Sequence, residues 1–151
     1  IYIKTLVLFF QLSTMVPEDV KIEINKNPEV SELMELFRQT DWAKNRDPDK
    51  IGWMLAKTDM SVCLRQDGKL LAYGRILNDG CFRGLLDDVV VEKSVRGQGF
   101  GTLLMKTLIQ ISEPLEVLFL NADPKMKGYY GKFGFSAFQG ITMVRRKKSG
   151  G

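Results

Sequence analysis

At 151 residues and 17.2 kDa, the chain is long enough for one domain that buries roughly two thirds of its unfolded surface without staples. Its 44% hydrophobic and 26% charged content excludes a disordered or fibrous protein. There is no histidine, which excludes Ser-His-Asp and Cys-His catalysis, histidine bases and histidine zinc sites, and two cysteines alone cannot close a structural zinc site.

The isoelectric point near 9.1 hints at nucleic acid until the charges are located. Arg145, Arg146, Lys147 and Lys148 alone equal the net charge of +4, so the body is neutral. The basic run then reads as a solvated terminus rather than a binding arm, and neither nucleic acid nor a membrane is expected as a partner. Cys63 and Cys81 both sit in apolar or strand-like sequence, no disulfide framework is expected, and a reducing, cytoplasmic setting fits.

Residues 1–14 open with IYIKTLVLFFQL, too short an apolar run for a bilayer, which takes about 20 residues, and without the basic flank and small-x-small site of a signal peptide. Met15 precedes VPEDVKIEI, so 1–14 reads either as an upstream extension or as an extra strand covering an edge or a partner subunit. A single domain is expected over 15–148, with 149–151 a tail. Alternation predicts a strand at 20–24. Asn27, Pro28 and Glu29 then cap a helix through Phe37 with Val30, Leu33, Met34 and Phe37 on one face, and a second helix follows over 48–57 with Ile51, Met54 and Leu55 inward. Trp42 and Trp53 read as half-buried packing residues, with substrate contact the alternative.

Strands at 61–65 and 69–77 flank Gln66-Asp67-Gly68, a hairpin signal because Asp-Gly supplies positive φ cheaply. A third antiparallel strand is expected over 82–92. It leads into RGQGFG, where Gly97, Gly99 and Gly101 let successive backbone N–H groups approach an anion, and then into a helix over 99–111 whose first N–H groups lack internal partners. Leu103, Leu104, Thr107, Leu108 and Ile111 form its buried side, and 117–120 is a short strand apolar enough to be covered on both faces.

This phosphate cradle is not a P-loop, because Gly101 is followed by Thr102 and Leu103 instead of Lys-Ser/Thr. It is not a dinucleotide fingerprint either, because its spacing is GxGxG and about four polar residues separate it from Val91. Arg96, Gly99 and Gly101 instead resemble the R/Q-x-x-G-x-G/A signature of the GNAT superfamily of acetyl-CoA-dependent N-acetyltransferases. Downstream, KGYYGKFGF at 127–135 is similar to that family's aromatic-Tyr-x-x-x-Gly-Phe segment, in which a short helix ends at a glycine and re-enters the sheet. These pieces occur in the family's order over about half the chain. GRILNDGCFRGLLDDVVVEKSVRGQGFG, LFLNAD and YYGKFGF most resemble the subgroup of plant serotonin N-acetyltransferases and bacterial relatives, although Asp87-Asp88 stands where the subgroup has Trp-Asp.

The resemblance implies an α/β (α+β) GNAT fold, a mixed and mostly antiparallel sheet splayed at the acyl-CoA site and flanked by helices. It implies that Arg96, Gly97, Gln98, Gly99, Phe100, Gly101 and Thr102 hold the pyrophosphate of coenzyme A. Val89, Val90 and Val91 would hold the pantetheine amides like an added strand, with Asn121 at the polar strand exit completing the site. It makes Tyr130 the general acid, a phenol that stays protonated at neutral pH. No metal is implied. The base is a carboxylate, a water relay or nothing. Alternation puts Asp87 and Asp88 on opposite faces, and Asp88, at the position matching the subgroup and sharing parity with Val90 and Glu92, is the expected base, a structural carboxylate being the alternative.

The implied function is transfer of the acetyl group of acetyl-CoA to a primary amine in a ternary complex. The acceptor would be a small molecule or a peptide, and a homodimer is possible. The alternative is a coenzyme-A-binding regulatory domain without turnover, against which Tyr130 and the intact loop speak.

Overall fold

The computed structural model of the chain describes residues 16–147. The readings of 1–14, Lys148 and the tail fall outside them. The chain divides into two compact units, one ending at Asn121 and the other beginning at Ala122.

Turn chemistry sets the sheet of the first unit. It comprises β1 (Lys21–Ile24), β2 (Ser61–Gln66), β3 (Lys69–Asn78), β4 (Arg83–Val91) and β5 (Val117–Leu120) in spatial order β1-β2-β3-β4-β5. Asp67 (φ 49°) and Gly68 (φ 78°) are both left-handed, as a two-residue hairpin between β2 and β3 requires. At the next turn Asp79 Oδ1 accepts from the backbone N–H groups of Cys81, Phe82 and Arg83 (3.0, 2.7 and 3.0 Å), which folds β3 back into β4. Cys81 is therefore exposed in a turn, not in the strand-like setting expected. Pairing is antiparallel throughout except between β4 and β5, and that parallel pair needs the crossover supplied by the long helix after the glycine loop.

Two helices, α1 (Val30–Phe37) and α2 (Pro48–Ala56), lie between β1 and β2. Glu29 N–H donates to Glu32 Oε2 (3.0 Å) at the start of α1, and Asp47 Oδ1 accepts from Lys50 N–H (3.0 Å) at the start of α2. Asn27 has a different job from the one expected: its side-chain amide donates to Leu55 O (2.8 Å) and Thr58 O (3.0 Å), satisfying the open carbonyls at the end of α2. Leu33, Leu36, Phe37, Ile51 and Leu55 pack against Cys63, Leu70, Tyr73 and Val90 of the sheet, each large apolar side chain contributing about 1.5–3 kcal/mol.

On the opposite face lies α3 (Phe100–Ile111), burying Phe100, Leu103, Leu104, Met105, Thr107 and Leu108. Gly74 admits it closely, because a Cβ there would sit 2.6 Å from Leu108 Cδ1. Two expectations fail on exposure. β5 is only half-buried, with Phe119 exposed, and Trp53 is 74% exposed instead of packed. Trp53 lines a groove of about 900 Å³ with Val30, Asp47, Asp49 and Gly52.

The second unit is built on one short helix, α4 (Lys127–Gly131). Among the described residues no strand follows β5, and Phe138, Ile141, Met143 and Val144 are exposed.

Candidate functional site

The site begins where two parallel strands part. β5 pairs with β4 from Arg83↔Val117 to Leu86↔Leu120 and then ends, leaving residues 87–91 of β4 past the reach of that pairing. Val89, Val90 and Val91 occupy this stretch. Val90 is buried against α1 and α2, so it has its backbone to offer rather than its side chain. Asn121 is exposed directly after β5.

A bulge reshapes the same stretch. Tyr73 pairs with Val90 and Arg75 with Asp87, so Asp88 and Val89 together oppose Gly74 alone, and Asp88 takes a left-handed φ of 53° to absorb the extra residue. Strict alternation fails there. Asp88 keeps the face of Val90, but Asp87 joins it: Arg75 Nε donates to Asp88 Oδ2 (2.6 Å) while Arg75 Nη2 lies 3.3 Å from Asp87 Oδ2. Arg46 completes the set, with Nη1 at 2.8 Å from Asp88 Oδ1 and its guanidinium stacked 4.9 Å from the Phe37 ring and 5.5 Å from the Trp42 ring.

The Asp88 side chain is 0% exposed between two guanidinium groups, hydrogen-bonded by Arg75 at Oδ2 and paired by charge alone with Arg46 at Oδ1. A carboxylate so enclosed is a structural anion whose removal from either partner is costly. Its enclosure supports the structural alternative to its expected service as a base. The carboxylate open to solvent on this face is Asp87, at 42%.

The cradle continues from β4. A single turn at Lys93–Val95 leads to Gly97 (φ 77°) and Gly99 (φ 91°), the latter immediately before α3. Leu103 N–H donates the first helical bond, to Gly99 O (2.9 Å), so the N–H groups of Phe100, Gly101 and Thr102 precede the helical ladder. A Cβ at Gly97 would meet nothing within 4 Å, which leaves the loop's edge open to an anion. Arg96 is tied down by its Nε–H to Val91 O (3.0 Å) and Gln98 by its side-chain amide to Ser94 O (3.1 Å). The Phe100 side chain is buried, which leaves its N–H as the group it can turn toward the loop.

Gln39, just after α1, fixes the strand end before the cradle. Its Nε2 donates to Glu92 Oε2 (2.9 Å) and its Oε1 accepts from Lys93 N–H (2.9 Å). The Gln39 amide, with help from Lys69, lowers the Glu92 carboxyl below its ordinary value.

In the second unit GYYGKFGF closes on itself as a helix stop. Gly134 is left-handed (φ 87°), its N–H donates to Gly131 O (3.1 Å), and Phe135 N–H donates to Tyr130 O (3.3 Å). The hydrophobic contact that accompanies such a stop is Tyr130 against Phe135, with ring centroids 6.1 Å apart, and the Tyr129 ring lies edge-on to Tyr130 at 5.1 Å. Burial raises the Tyr130 phenol above its ordinary value, so it stays a proton donor at neutral pH, and burial pushes Tyr129 up to about 12.

Sequence reasoning missed Gln39, Arg46 and Arg75. Each acts across a distance in the chain and carries no local motif. Asp87 was visible, but only the bulge makes it the accessible carboxylate.

Residues 27–135 match the acetyltransferase (GNAT) family. The chain is 29% identical over 115 residues to GCN5-related N-acetyltransferase 1, chloroplastic, of Arabidopsis thaliana, covering 69% of this chain and 57% of the relative. It is 31% identical over 87 residues to serotonin N-acetyltransferase 2, chloroplastic, of Oryza sativa subsp. japonica, covering 54% and 44%. The chain thus spans about half the length of these relatives. A probable acetyltransferase from meticillin-resistant Staphylococcus aureus has the same fold, with a TM-score of 0.73 at 24% identity over 84% of this chain and 99% of that one.

Proposed function

The chain belongs to the acetyltransferase (GNAT) family, and from that premise we propose that it moves the acetyl group of acetyl-CoA to a primary amine by direct attack within a ternary complex. The observation that carries this is the continuity of the parted strand and the cradle: residues 87–91 of β4 run, through one turn, into the glycine loop and the open N–H groups of Phe100, Gly101 and Thr102. A ligand with an extended amide arm and a pyrophosphate fits that sequence of features, the arm pairing with Val89, Val90 and Val91 and the pyrophosphate meeting Arg96, Gly97, Gln98, Gly99, Phe100, Gly101 and Thr102.

An arriving ammonium ion first gives one proton to solvent. The neutral amine nitrogen then attacks the thioester carbonyl, and the C–S bond breaks as the C–N bond forms. The nitrogen gives its second proton to water, and the departing thiolate takes one from an acid that is reprotonated from solvent. Backbone N–H groups at the bulge polarise the carbonyl. Tyr130 supplies the proton, supported by its raised phenol and by the packing of Tyr129 and Phe135 around it. Asp87 is the carboxylate that meets an arriving ammonium ion, supported by its 42% exposure at the first residue past the β4–β5 pairing. A reducing compartment, cytoplasm or plastid, belongs to the same proposal; both plant relatives are named chloroplastic.

Thiol release from acetyl-CoA, followed with aralkylamines, polyamines, aminoglycosides and lysine peptides, tests the reading. Release that depends on one of these amine classes is the expected result. Tight acetyl-CoA binding without amine-dependent release would identify a regulatory coenzyme-A-binding domain instead.

A further inference from the structure

We propose that Gln39 and Arg46 are positioning residues that divide control of β4 between them, Gln39 setting the pyrophosphate end and Arg46 the acyl end; the proposal rests on the acetyl-transfer reading. Both reach the strand from the α1 side, and they grip it at the two ends of its free stretch. Gln39 uses donor and acceptor at once, and its Nε2 also returns to Glu35 O (3.3 Å), so the amide is anchored on α1 while it holds Glu92 and Lys93. Those two residues begin the turn that aims Gly97. Arg46 is anchored by the Phe37 and Trp42 rings and meets Asp88, the residue whose left-handed φ creates the bulge.

The two contacts therefore act on different things. Losing Gln39 frees Lys93 N–H and leaves the Glu92 side chain paired with Lys69, which lets the cradle tilt and weakens the hold on the pyrophosphate. Losing Arg46 leaves Asp88 on Arg75 alone, which loosens the bulge, moves the N–H groups that meet the thioester and slows the chemical step while leaving the pyrophosphate end in place. A general loss of packing would move both quantities together.

The test measures coenzyme A affinity by calorimetry, and kcat and KM for acetyl-CoA by thiol release, in the wild type, Gln39→Ala and Arg46→Met. Gln39→Ala raises the coenzyme A Kd about tenfold with kcat within about twofold, the size expected for one charge-assisted bond. Arg46→Met lowers kcat about tenfold with Kd within about twofold. Exchanging the pair, Gln39→Glu with Glu92→Gln, keeps an acceptor for Lys93 N–H and a donor between the side chains while losing the bond to Glu35 O and the Lys69 pair, and it brings Kd back toward the wild-type value.

If Arg46→Met does not fold, Arg46→Met/Asp88→Asn is read in its place, because Asn tolerates positive φ, keeps an acceptor for Arg75 Nε and removes the buried charge that has lost one of its two partners. Any pattern without this split, including both variants shifting Kd and kcat together, overturns the proposal while leaving acetyl transfer intact. A wild type that neither binds coenzyme A nor releases thiol overturns both.

Discussion

Two glycines share one backbone conformation and differ in what surrounds them, and replacing each by alanine separates strain from binding. Gly97 in the cradle has φ 77° and Gly68 in the β2–β3 hairpin has φ 78°, and a Cβ at either meets nothing within 4 Å. Neither alanine clashes, so each substitution costs only the left-handed penalty, about 1–2 kcal/mol, or roughly 2–8 °C in Tm for a chain of this size. The two variants should lose equal stability. They should part when coenzyme A is added. A ligand at 100 times its Kd stabilises the wild type by about 2.7 kcal/mol, and Gly68→Ala should keep all of that gain. In Gly97→Ala the methyl takes space the anion needs, and a tenfold loss of affinity halves the gain to about 1.4 kcal/mol. Thermal unfolding with and without coenzyme A measures both quantities. Equal ligand-induced shifts in the two variants would refute the cradle, whatever the stability of either.

Tyr130→Phe should lower kcat at least about tenfold with little change in acetyl-CoA affinity, read by steady-state kinetics beside calorimetry; unchanged turnover removes Tyr130 as the acid. Glu23 is held down to about 2 by Lys21, then by Arg65 and Lys26 against the opposing effect of burial. Its depressed carboxyl contributes at most about 3 kcal/mol, fully present above pH 4.5 and lost as pH falls toward 2. Urea midpoints from pH 7 to 3 should therefore fall less steeply in Glu23→Gln than in the wild type, and identical slopes would contradict it. Burial pushes the Cys63 thiol up to about 12, whereas Cys81 is exposed, so iodoacetamide on the folded protein should label Cys81 alone, with peptide mass mapping as the check.

Features whose cause is local were legible in the sequence. Asp67-Gly68 sets a hairpin because two adjacent residues take positive φ, and Gly134 stops α4 because its own φ and the two bonds around it do so. RGQGFG belongs with these, since a turn, a left-handed glycine and a helix start need no distant partner. The bulge was illegible because period-2 alternation carries no record of an inserted residue: Asp88 looks like any strand position until Gly74 fails to match it. Asn27 read as a cap of the helix beside it and instead caps the end of α2, a bond spanning 28 residues.

Gln39 lies 53 residues from Glu92, and nothing near either announces the pair. The same division falls across the chemistry. The part of the site assigned to the donor is written in consecutive residues from Val89 to Thr102, so a motif can find it. The helices on the other side reach that stretch only through side chains, Arg46 to Asp88 and Gln39 to Glu92 and Lys93. Substitutions at Gln39 or Arg46 therefore load residues 88–93 from outside any motif.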